Sequence, residues 1–375
     1  MTTVEIRYDP ARMRTSQARM RALTEFRTLD RVPVVLGVYT RYLLQQRGVG
    51  YDEYLSSPRA HLIHQLENYK WLVEHVPEDR LTAPAITLQP DFENIPNAAA
   101  FGAPVGYQDD QPPCVMLCIA SIDEMEDWPE ASPQDGIWGR SIEWVREWHK
   151  LLEDEVEVRL NGERIPVHAT TGMYGLGPFS TAVDLVGTDW YAWLYEAPDA
   201  CQRFLGKITR AMQRMEAYCH ETLDPSRRGG IALAEDSAQI ISVEQFVAPW
   251  CHALYDAFPG VRVMHMCGSS AHLLGTLRDN LRITHFSGFG SVVPPEVAAR
   301  ELGGRVQLLG NVDCWLLQEG PADAIHDAAQ HCLAPLAPYG GYTLSDGCNI
   351  TPDTPLDHLQ LMMEAAEAYG APSVS

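Results

Sequence analysis

"VRVMHMCGSSAHLLGTLRDNLRITHFSGFG", Val261 to Gly290, carries the pattern that decides the fold. It opens on a short apolar run, "VRVMHMCG", passes through a helix-length segment, and closes on a second run, "RITHFSGFG" (Arg282 to Gly290). A strand, a helix and a second strand in that order read as a βαβ unit with parallel strands. The same alternation extends both ways. Upstream lie "RVPVVLGVYT" (Arg31 to Thr40), "LTAPAITLQPDF" (Leu81 to Phe92), "IPVHATTGMYG" (Ile165 to Gly175) and "GIALAED" (Gly230 to Asp236). Downstream lie "RVQLLGNVD" (Arg305 to Asp313) and "GYTLSDGCN" (Gly341 to Asn349).

The intervening segments keep helical period. "DACQRFLGKITRAMQRMEAYCHETL" sets Phe204, Ile208, Met212 and Met215 on one stripe. "SVEQFVAPWCHALYDAF" starts on a Ser242–Gln245 capping signal and ends before Pro259-Gly260. Strands alternating with helices over eight repeats predict a (β/α)8 TIM barrel within the α/β class. A doubly wound sheet is the alternative, weakened because no Gly-x-Gly-x-x-Gly follows an early strand. We expect one domain over 1–375, with an N-terminal helical extension over about 1–30 and an insertion over about 93–164 between strands 2 and 3. The insertion contains a Trp-rich amphipathic helix with Trp144, Trp148, Leu151 and Leu152 on its apolar face. A hairpin at Asn161-Gly162 follows, and the whole is expected to cover one mouth of the barrel.

The formal net charge is −22 over 375 residues. Such an acidic surface repels phosphate backbones and anionic lipid, so neither nucleic acid nor membrane is an expected partner. No apolar stretch is long enough for a membrane span, and the first residues lack the apolar core of a signal peptide. Nine cysteines, an odd number, fit reduced thiols in a cytoplasm. A homodimer is compatible with the surface.

Active sites of such barrels lie at the C-terminal ends of the strands. There the sequence places Asp91, Glu235, Asp236, His265, Cys267, His285, Asn311, Asp313, Asp346 and Cys348. His265 and Cys267 are i and i+2 on a strand, so they point to one face. The last run closes the barrel and brings Cys348 to the same mouth. One imidazole and two thiolates match zinc and disfavour magnesium or calcium. The fourth ligand is open between Glu235, Asp236, and water or substrate; Glu235 is the first choice. Tyr39, Phe92, Tyr174 and Asn311, with Tyr42, Met173 and Phe179 nearby, are the candidate substrate contacts. His168 and His285 are each readable as a site residue or as a satisfied histidine of the scaffold.

"RVMHMCGSSAHLL", "LLGNVDCWLLQEG" and "GYTLSDGCNITPDTPLDHLQLMMEAAEAYG" resemble the uroporphyrinogen decarboxylase superfamily. "RMRALTEFRTLDRVPVV" and "GPFSTAVDLVGTDWYAWLYEAPDACQRFL" extend the resemblance over about Arg19 to Gly370. His265, Cys267 and Cys348 fit the pattern of its zinc-dependent methyltransferase branch. The resemblance implies zinc-dependent methyl transfer between a small substrate and the cobalt of a corrinoid (cobalamin), carried by a partner corrinoid protein or free. The expected substrate is a methoxylated aromatic undergoing O-demethylation. One alternative is a metal-free decarboxylase depending on Arg41 and Asp91, although "VLGVYTRYLLQQRGVG" lacks the decarboxylases' arginine-rich loop. Another is a non-catalytic protein with structural zinc.

Overall fold

The computed structural model describes residues 1–108, 110–225, 229–246 and 250–371. Its strands in chain order are β1 (Thr2–Ile6), β2 (Ile86–Leu88), β3 (Val156–Leu160), β4 (Glu163–Ile165), β5 (Val167–Ala169), β6 (Gly230–Ala234), β7 (Val261–His265), β8 (His285–Ser287), β9 (Gln307–Val312) and β10 (Tyr342–Asp346). A two-residue antiparallel pair, Val105–Gly106 with Cys114–Val115, is the remaining small ladder.

The sequence alternation sets the topology. β6 to β10 form one parallel sheet in chain order, joined by crossovers that carry helices. The run at Val34 bridges in parallel to Leu344 of β10, and Leu176 bridges to Ala234 of β6. β2 and β5 pair in parallel, Ile86 with Val167. The pairing therefore passes from Val34 through β10, β9, β8, β7 and β6 to the segment that follows β5, and β5 pairs with β2. Among the described residues no ladder joins the Val34 run to β2. The tie on that side is Asp79, whose N–H donates to the Val34 carbonyl at 2.7 Å and whose carboxylate accepts from Val34 N–H at 3.0 Å. Arg31, Arg19 and Ser16 hold the same carboxylate at 2.7, 3.0 and 2.8 Å. Burial alone would push this carboxyl up; the Arg31 contacts bring it net below its usual range.

The expected N-terminal helical extension is corrected. Thr2–Ile6 is a strand, followed by a helix over Pro10–Thr24 capped by Asp9. β1 pairs in parallel with β3, Thr2 with Val156 and Ile6 with Leu160. β3 and β4 form the predicted hairpin. Asn161 and Gly162 have φ of 52° and 87°, the two successive left-handed residues that a tight hairpin turn requires. Asn161 also fixes Tyr8, accepting from its N–H at 3.1 Å and donating to its carbonyl at 2.7 Å.

The predicted Trp-rich helix spans Gly136–Asp154. Trp148 is fully buried, and its Nε1–H donates to the Pro58 carbonyl at 2.8 Å. Trp148, Val145 and Leu151 pack with Val4, Ile6, Val156 and Val158 in a second apolar core, separate from the large one among the parallel strands. β4 runs directly into β5, and the Pro166 carbonyl between them accepts from Ile86 N–H at 3.1 Å. The hairpin thus lies where β2 and β5 begin, away from the strand ends that carry His265 and Cys348. The predicted helix over 242–258 appears as Val243–Phe246 and Trp250–Ala257 with its Ser242–Gln245 capping box in place; residues 247–249 lie outside the described residues. No helix among the described residues is long and apolar enough to cross a membrane.

Candidate active site

β6, β7 and β8 end in register, Ala234 beside His265 and His265 beside Ser287. Cys267 stands two residues beyond the end of β7, and Cys348 two beyond the end of β10. One ligand-capable atom from each of His265, Cys267 and Cys348 falls within 4.8 Å of the others. All three are half-buried and line a cavity of about 700 Å³.

The imidazole is oriented. His265 Nδ1 lies 2.8 Å from the Ser287 carbonyl, which can only accept, so Nδ1 carries the proton and Nε2 is left for a ligand. Gly288, at φ +60°, permits this: a Cβ there would stand 2.5 Å from the His265 ring. Gly290 permits the next turn, since its Cβ would lie 1.9 Å from the Cys267 carbonyl oxygen.

Charge is unevenly shared between the two thiols. The hydrogen bond from Cys267 holds the Cys348 thiol below its usual range, and the same bond pushes Cys267 above it. Burial works against protonating His265, but the Cys267 contact and the Asp236 carboxylate carry it net upward. A divalent cation would relieve all three, because it favours both thiolates and the neutral imidazole together. The donor set, the distances and the oriented ring fit zinc.

Glu235, the first choice for a fourth ligand, points elsewhere. Its carboxylate is fully buried, accepting from Phe179 N–H at 3.2 Å and Ser180 N–H at 2.9 Å, with the Cys251 thiol at 3.7 Å. Burial pushes it up to about 7. The next residue lies nearer the cluster: Asp236 Oδ1 accepts from Cys267 N–H at 2.8 Å and lies 3.5 Å from His265 Nε2, although the group able to hold a metal among the described residues is His265, Cys267 and Cys348 alone.

The other candidates divide. Tyr39, more than half exposed, and Tyr42 and Tyr174, both buried, line the cavity. The Tyr174 hydroxyl is held by the Pro90 carbonyl and Ser141 Oγ, both at 2.7 Å. Phe92 is not a lining residue; it lies in the core against His61 and Trp144, under Arg140. Asn311 is also removed from substrate contact. It is buried, with Nδ2 donating to the Gly290 and Val293 carbonyls at 3.1 and 2.8 Å, and so pins the loop after β8. His285 starts β8 rather than ending it and bonds Thr284, while His168 is exposed. Sequence reasoning missed Ser287 and Gly288; the signal was the glycine-serine punctuation in "HFSGFG". It also missed Arg80 and Glu93, which line the cavity from loops.

Residues 15–369 match the family model described as Uroporphyrinogen decarboxylase (URO-D). The methylcobamide:CoM methyltransferase MtbA of Methanosarcina acetivorans is 24% identical over 292 residues, covering 74% of this chain and 78% of that protein. The methylcobamide:CoM methyltransferase MtaA of Methanosarcina barkeri is 26% identical over 252 residues, covering 64% and 68%. A solved methyltransferase from Methanosarcina mazei superposes with a TM-score of 0.67 at 20% identity, covering 94% of this chain and 98% of that one, and shares its fold.

Proposed function

This chain belongs to the uroporphyrinogen decarboxylase family, and on that premise we propose that it is a zinc- and corrinoid-dependent methyltransferase built on a (β/α)8 barrel. The observation that carries the proposal is the convergence of His265, Cys267 and Cys348 inside one cavity at the C-terminal ends of the strands. The names of the curated relatives, methylcobamide:CoM methyltransferases, support the corrinoid as the second substrate.

His265, Cys267 and Cys348 would hold the zinc. When bound, it supplies Lewis acidity to a substrate oxygen, or lowers the pKa of a thiol so that the thiolate is present at neutral pH. The chain's own groups prepare that chemistry. The Ser287 carbonyl fixes the His265 tautomer, and Asp236 anchors the Cys267 backbone. In demethylation the carbon–oxygen bond breaks as the carbon–cobalt bond forms, its electron pair leaving with the oxygen while Co(I) becomes Co(III). With a thiolate acceptor the transfer runs the other way, and cobalt keeps the electron pair.

Tyr39, Tyr42 and Tyr174 give the cavity aromatic walls, which supports a methoxylated arene as methyl source. The CoM in the relatives' names supports a thiol acceptor as the second reading. The deciding experiment measures metal in the wild type and in Cys348→Ala. It then supplies Co(I) cobalamin with methoxyarenes, and methylcobalamin with thiols. About one zinc per wild-type chain, lost with turnover in the variant, is expected. A wild type that takes no zinc on reconstitution, or that works unchanged after chelation, overturns the proposal and puts the metal-free decarboxylase ahead of it.

A further inference from the structure

The cavity holds a charge pattern that the metal chemistry does not use. Its ionisable lining outside the His/Cys/Cys cluster is Arg41, Arg80, Asp91, Glu93 and Asp236, beside the tyrosines. Both cations already have carboxylate partners. Arg41 Nε lies 3.0 Å from Glu93, and Arg80 Nε lies 2.8 Å from the buried Glu78. Asp236 is engaged at the cluster. Asp91 is left. Its carboxylate accepts only from neutral groups, the Thr40 hydroxyl and Glu93 N–H at 2.8 Å. None of the groups hydrogen-bonded to Asp91 is a cation. His61, whose Nε2 accepts from Asp91 N–H at 2.9 Å, is lowered to about 3 by burial and stays neutral. Arg140 lies over the faces of Phe92 and Trp144 instead. Among the described residues no Lys or Arg forms an ion pair with Asp91.

Asp91 follows β2, and β5 and β6 come between β2 and β7 in the pairing order. It lines the same cavity as His265, Cys267 and Cys348. Resting on the methyl-transfer reading, we infer that the small substrate carries a positive charge: an ammonium or quaternary nitrogen sits at Asp91 with its methylated or methyl-accepting heteroatom at the cluster. A carboxylate without a cationic partner favours a cation, and tyrosines lining the same cavity can add cation–π attraction. The net charge of −22 raises the local concentration of such a substrate.

The test binds three thiols of matched reach to the zinc-loaded protein by calorimetry: thiocholine, mercaptoethanol and mercaptopropionate. The quaternary nitrogen of thiocholine cannot ligate zinc, and comparison with Asp91→Asn separates the effect of its charge on that carboxylate from those of its methyl groups and its more acidic thiol. Thiocholine is expected to bind at least about tenfold tighter than mercaptopropionate, with mercaptoethanol between them. Asp91→Asn is expected to collapse that spread. Mercaptopropionate binding as tightly as thiocholine, or a spread that survives in Asp91→Asn, overturns the inference while zinc-dependent binding leaves the methyl-transfer reading standing. If none of the three binds more tightly with zinc than without it, the metal reading falls and takes the inference with it.

Discussion

The two ends of the parallel strands are built on opposite rules. Where β2 and β5 begin, the chain adds a strand, a hairpin and the helix Gly136–Asp154, and fills the space with Val4, Ile6, Trp148 and Val158. Where β7 and β10 end, it places glycines, thiols and an oriented imidazole around an open cavity. The first end is held by apolar contact, the second by directed hydrogen bonds to backbone carbonyls and amides. Stability and chemistry are therefore separable by mutation.

The largest effect tests the second end. Cys348→Ala is expected to lose bound zinc and to lower methyl transfer by about a thousandfold, with the thermal midpoint of the metal-free proteins unchanged. Loss of fold together with zinc would break the separation. Trp148→Ala tests the first end. Emptying that core should cost about 3–5 kcal/mol in denaturant unfolding, while zinc per folded chain stays the same.

Glu235→Gln sharpens the boundary between the ends. The folded carboxyl sits near 7, above its ordinary 4.5. The protonated form is favoured by the fold, so this contribution is fully present below about pH 4.5 and is lost as pH rises through about 7. Wild-type stability should fall relative to Glu235→Gln across that window, by about 3 kcal/mol at most. Parallel stability–pH curves for the two proteins would refute the assignment. Gly288→Ala is the mildest change: its Cβ meets the His265 ring, and zinc affinity should drop about tenfold to a hundredfold with little loss of fold.

The sequence carried the regular parts of this comparison and lost the irregular ones. Each apolar run became or adjoined a parallel segment because burial on both faces leaves a continuous signal. Asn161-Gly162 was legible because few residue pairs take two positive φ values. Thr2–Ile6 was not, since its partner lies at Val156–Leu160 and nothing local announces a pairing at that distance. In the site, His265 and Cys267 followed from spacing. Glu235 failed because β6 stops at Ala234: with φ −121° and ψ 50°, Glu235 leaves the extended conformation, and the alternation of faces no longer says which carboxylate enters the cavity. Phe92 and Asn311 failed for a related reason, since position at a strand tip does not reveal which way a loop folds back.

The pairing of β1 with β3 constrains the order in which the molecule is assembled on the ribosome. Thr2–Ile6 emerges early, yet the hydrogen-bond partners it needs begin at Val156. Until those residues are made, its edge stays open and prone to non-native pairing. The run at Val34 waits longer, for Leu344. The strand ends that position Cys348 are thus the last to be closed, and a nascent chain can complete its Trp148 core well before it has a site to which metal can bind.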